Sequence, residues 1–65
     1  MISEIDIWRC AAVMIKHYGD LADIEAAARA DEYEAKGERH GQRVWLSIMR
    51  AIDQLQKVQL GETKQ

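Results

Sequence analysis

The chain has 65 residues, nine lysines and arginines against eleven acids, one cysteine, and neither proline nor phenylalanine. That length allows a single domain with little interior, because ordering each residue costs roughly 1.5 kcal/mol and nearly cancels what so small a core supplies. One cysteine excludes an internal disulfide, two separate histidines exclude a paired zinc spacing, and no apolar run approaches the ~20 residues of a membrane span.

Hydrophobic residues make up 48% of the sequence, a globular rather than a disordered composition, and nine of them are alanine. The free thiol Cys10, with no basic-then-apolar leader at the N-terminus, predicts a cytoplasmic protein. With disulfides and metals excluded, close helix packing or oligomerisation must supply the missing stability, and oligomerisation is the expectation.

The first predicted helix runs over 3–18. Ser3 is a good N-cap, Glu4 and Asp6 sit where the positive helix end favours acids, and Lys16 and His17 fall in the last turn. At 100° per residue Ile5, Trp8, Ala11, Ala12, Ile15 and Tyr18 share the face expected in the core. Ile7, Cys10 and Met14 form a second apolar seam beside it, assigned to an interface. Gly19 can take the left-handed position that ends the helix.

Asp20 is expected to cap a second helix over 21–36. Glu25–Arg29 and Glu32–Lys36 have the favourable i,i+4 order, and Ala22, Ala26 and Ala30 at that same spacing let a neighbouring backbone come close. Ile24, Ala27 and Ala28 add an adjacent strip, with Ile24 assigned to the core. Asp31 projects near that strip, which predicts partial burial and an arginine partner from Arg29, Arg43 or Arg50. Gly37 is the stop.

The third helix is expected over 39–59. Val44, Trp45, Ile48, Ala51, Ile52 and Leu55 form its core face, and Gly41 lies on that face one turn before Trp45. Glycine in a helix costs about 1 kcal/mol relative to alanine, so Gly41 reads as room for a neighbour such as an aromatic ring. Leu46, Met49 and Leu60 make a second seam. Short loops make sequential helices antiparallel, so the long third helix is expected to overhang and leave Leu55, Val58 and Leu60 without intramolecular partners. Residues 61–65 read as a frayed tail. The architecture expected is all-α: a small three-helix bundle, completed by homodimerisation through Ile7, Cys10, Met14, Leu46, Met49, Val58 and Leu60.

Charge is segregated. Residues 20–36 carry six acids against two bases, whereas 38–60 carry Arg39, Arg43, Arg50 and Lys57 against two acids. A glycine-containing turn before a basic helix suggests a helix-turn-helix, but a net charge of −2, with Trp45 and Ile48 facing the core, argues against nucleic acid as the main partner. No catalytic, cofactor or metal site is expected. His17 reads as a helix-end residue, His40 as a loop residue and Cys10 as packing, and Asp31, Glu32 and Glu34 lack the alternating ligands of a calcium loop. The function expected is a non-enzymatic interaction or regulatory module. The alternative is a small DNA-associated regulator presenting Arg39, Arg43 and Arg50.

The spaced pattern Trp8 … Tyr18-Gly19-Asp20 … Arg29-Ala30-Asp31 … Gly37 … Gly41 … Val44-Trp45 … Ile48 … Ala51-Ile52 … Leu55 resembles a family of short, uncharacterised bacterial proteins, a domain of unknown function. The resemblance implies a small helical cytoplasmic bacterial protein and carries over no catalytic residue. In that family an aspartate often follows the glycine before the last helix, whereas Glu38 stands there in this chain.

Overall fold

The computed structural model describes residues 3–59, all of them in helices or the short turns between helices. Helix α1 spans Glu4–Tyr18, α2 spans Ala22–Ala35 and α3 spans Arg39–Gln59. The start of α1 is a reciprocal cap: the Asp6 N–H donates to Ser3 Oγ at 3.2 Å, and the Ser3 N–H donates back to Asp6 Oδ2 at 3.4 Å. Gly19, at φ +57°, ends the helix with its N–H on the Ile15 carbonyl.

The junction to α2 differs from the expected aspartate cap. The chain keeps coiling through a 3-10 turn, Gly19–Leu21, and the Ala22 N–H donates to the Gly19 carbonyl. Leu21 therefore occupies the N-cap position with no side-chain bond, and Asp20 lies inside the turn. Continuous coiling already occupies the donor that a capping carboxylate would have served. Within the new helix, Asp23 Oδ1 accepts from the Ile24 N–H at 2.8 Å.

α2 ends more tightly. The Glu38 N–H reaches the Tyr33 carbonyl at 2.9 Å and the Gly37 N–H reaches the Glu34 carbonyl at 3.0 Å, with Gly37 at φ +75°. These two bonds are a Schellman motif, whose left-handed residue glycine adopts at no steric cost. The Glu38 carbonyl then accepts from Gln42, opening α3.

α2 and α3 make the most extensive contact, α1 and α3 the next, and α1 and α2 the least. The alanine ridge explains the first. Ala22, Ala26 and Ala30 are buried, so nothing on that face of α2 holds the two backbones apart. At the hairpin end Gly41 passes under the Tyr33 ring. A β-carbon built on Gly41 would sit 2.7 and 2.8 Å from Tyr33 Cε1 and Cγ, closer than any side chain tolerates. Further along, the Arg29 guanidinium lies 5.4 Å from the centre of the Trp45 ring and pairs with Glu25 at 3.3 Å.

Ile48 and Ile52 are the largest fully buried side chains, and Val44, Trp45 and Leu55 pack half-buried around them. α1 contributes a face other than the expected one. Ala11 and Met14 are buried and Ile7, Cys10 and Ile15 pack against them, whereas Ile5 is 63% exposed and Trp8 and Tyr18 are each 39% exposed. The helix is turned by roughly a quarter-turn from the expected orientation. Apolar residues cover more than half of its circumference, so periodicity alone does not fix the inner side. The side chosen carries Cys10, Ala11 and the unbranched Met14, which let α1 approach α3 closely, while Trp8 and Tyr18 keep their polar atoms near water.

Of the seam expected at an interface, Met14 is therefore buried in the core, and Ile7 and Cys10 pack half-buried against it. Ile24 is corrected in the opposite direction: it is 63% exposed because α2 turns its alanine ridge inward. The overhang of α3 is also smaller than expected. Leu55 packs on the core and Gln56 Nε2 donates to the Gly19 carbonyl at 3.1 Å, so α3 is supported almost to its end.

Candidate functional site

The surface features fall into three groups. The first is a groove of about 350 Å³ between α1 and α3. Glu4, Ile7 and Trp8 line it from α1, with Ser47, Arg50, Ala51 and Gln54 opposite on α3. Ile5 stands beside Trp8 on the outer shoulder of α1. Val58, 71% exposed, continues the Ser47–Ala51–Gln54 strip by one further turn, following the i,i+4,i+7,i+11 spacing of a helix edge. Ile7, Trp8 and Ala51 are the apolar part of the lining, and Ser47 and Gln54 make its α3 side largely polar. Glu4 and Arg50 supply one charge of each sign, and neither belongs to an ion pair among the described residues.

The second feature is the outer edge of α3. On a 100° wheel Arg39, Arg43, Arg50 and Lys57 fall within about 40° of one another, and all four are exposed. Lys57 is held by Asp53 at 3.2 Å, in a solvent-exposed pair that contributes little to stability. Leu46, 42% exposed, sits among the arginines. Of the seam expected on this helix, Met49 instead packs half-buried against the core, and Leu60 lies outside the described residues.

The third group surrounds the α1–α2 junction, where Tyr18, Leu21 and Ile24 are exposed at spacings of three. Nearby α2 carries its acids outward. Asp31, for which partial burial and an arginine partner were expected, is exposed and makes no hydrogen bond or ion pair among the described residues. The Glu32–Lys36 pair does not form; Lys36 Nζ lies 5.5 Å above the Tyr33 ring. Lysine on an aromatic face keeps its hydration on the other side, which a weak surface pair does not improve on.

His17 and His40 are exposed and far apart in sequence, and Cys10 is a half-buried free thiol in the core layer of α1. Among the described residues no three histidine, cysteine or carboxylate groups are grouped to hold a metal, and no helix is long and apolar enough to cross a membrane. No protein-family model, curated protein or solved structure matches the chain.

Sequence reasoning missed two of these features. Tyr33 was given no role, although the hairpin is centred on Gly37 and places residues four before and four after it opposite one another. The groove was missed because its central residue, Trp8, was assigned to the interior.

Proposed function

We propose that this chain is a small non-enzymatic interaction module that works as a homo-oligomer, its helices forming a three-helix bundle completed by a second copy. The observation that carries this reading is an inverted distribution of size. Among the described residues five of the eight that are buried are alanines, while Ile5, Trp8, Val13, Tyr18, Leu21, Ile24, Leu46 and Val58 are all substantially exposed. A buried alanine removes little apolar area from water, whereas burying a leucine- or isoleucine-sized side chain is worth about 1.5–3 kcal/mol. Scattered apolar residues are normal on a surface; large ones outside an alanine interior favour a partner. Sedimentation velocity across the micromolar range tests this. A mass that rises towards twice the chain mass is expected, and a well-folded monomer throughout would refute the reading.

A second reading has its own support: Arg39, Arg43 and Arg50 are exposed along one edge of α3 and unpaired among the described residues. Such a row suits the phosphates of a nucleic acid backbone. Salt-sensitive retention on duplex DNA, lost in a variant with all three changed to glutamine, is its test; flow-through at low salt removes it.

A further inference from the structure

We infer that the α1–α3 groove is the self-association face, two copies packing groove to groove about a twofold axis with Trp8 at the centre and Glu4 of each chain against Arg50 of the other. This rests on the oligomer proposed above and specifies its geometry.

Three features of the groove carry it. The first is its charge pattern. Glu4 and Arg50 stand on opposite walls, one on each helix, and neither makes an ion pair among the described residues. A twofold contact presents one patch to itself, so it must be self-complementary. A groove whose charges were all of one sign would repel its own image; a twofold running along this groove exchanges its walls and brings each of these charges onto its opposite. The second is the position of Trp8. It lines the groove yet stays 39% exposed, a large amphipathic ring on a mixed surface, the residue type from which interface anchors are most often drawn. The third is the surroundings. Ile5, beside Trp8, and Val58, one turn past Gln54, add exposed apolar side chains at the margins of the groove, so stacking two copies as a four-helix layer would cover them.

The neighbouring basic edge of α3 lacks this property. Its four cations are of one sign, so it would repel its own image and suits an anionic partner instead.

Charge reversal with mixing isolates the intermolecular contact. Glu4→Lys places two cations at each rim and Arg50→Glu places two carboxylates there, so each variant alone should dissociate roughly tenfold more readily than the unmodified chain. Mixed together, the two variants complement one another at both rims of a heterodimer, and association should return to near the original strength. An ion pair within one chain cannot be rescued by mixing, so rescue identifies the contact as intermolecular. If the unmodified chain associates and neither reversal changes it, or mixing fails to rescue, the groove is not the interface, although self-association stands. If the unmodified chain stays monomeric, both readings fall. Helical circular dichroism checks folding. Should a reversal unfold the chain, the neutral pair Glu4→Gln and Arg50→Gln replaces it, each expected to weaken association about threefold. No weakening there overturns the assignment.

Discussion

Gly41 lies directly against the Tyr33 ring across the α2–α3 contact, and Gly41→Ala tests whether that close approach is required. In an exposed helix this change stabilises by about 1 kcal/mol, since glycine carries the greater conformational entropy loss. Here the added methyl meets Tyr33 Cε1 and Cγ at 2.7 and 2.8 Å. Turning the ring about χ2 leaves Cγ in place, so relief requires a different χ1 rotamer of Tyr33 or a shift of α2 relative to α3. Overpacking of that kind costs about 1–3 kcal/mol. Set against the propensity gain, the net loss is about 1 kcal/mol, a fall in Tm of roughly 4–8 °C for a domain of this size. Thermal unfolding followed by circular dichroism measures it, at matched chain concentration because a self-associating fold melts higher when concentrated. The control is Tyr33→Ala. With the ring removed, Gly41→Ala should become stabilising by about 1 kcal/mol, a coupling near 2 kcal/mol between the two positions. A Gly41→Ala variant that melts at or above the unmodified chain would refute the close approach. The same loss in both backgrounds would place its cause elsewhere.

Three further substitutions test the local reasoning. Gly37→Ala should destabilise by about 1–2 kcal/mol, because its φ of +75° is left-handed while the space around it is open; Gly37→Asn should recover part of that loss, and equal effects would contradict a purely conformational cause. Glu38→Asp should stabilise by several tenths of a kcal/mol up to about 1, since Glu38 precedes α3 with its carbonyl already accepting from Gln42 and a shorter carboxylate caps better. Ala26→Leu should cost at least about 1–3 kcal/mol, because Ala26 is fully buried on the ridge between α2 and α3; a neutral outcome in urea titration would mean that the ridge is not close-packed.

How much was legible in the sequence followed from how many faces of each helix were apolar. The limits of the three helices came through because caps and glycines mark them: Ser3 with Asp6, Gly19 and Gly37 each act within one turn of chain. The inner face of α3 was readable because its opposite edge carries arginines and a lysine. On α1 the apolar arc is too wide to select a side, and the size-based choice of Trp8 and Tyr18 failed. Close packing against α3 depends on what lets two backbones approach, and small or unbranched side chains serve that better than large ones. The same preference misplaced Ile24: α2 had a bulky apolar residue on one side and an alanine ridge on the other, and the ridge went inward. The groove depends on the relative placement of α1 and α3, which no local pattern encodes.

That preference for small residues inside determines how strongly two copies can hold together. The large apolar side chains exposed around the groove are Ile5, Trp8 and Val58, at 63%, 39% and 71% exposure. Covering those fractions in both copies would release on the order of 5–10 kcal/mol. Association itself costs about 4–15 kcal/mol in lost translational and rotational freedom, so the apolar contact alone barely balances. Under those terms the proposed contact would be a weak, reversible pairing rather than a permanent one. Two rim charge pairs, each worth about 0.2–1 kcal/mol, then weigh heavily on the outcome, because they act on a small remainder. Paired as proposed, a chain whose interior is lined largely by alanine would hold a second copy through the apolar surface left outside, and its rim charges would decide whether the pair persists.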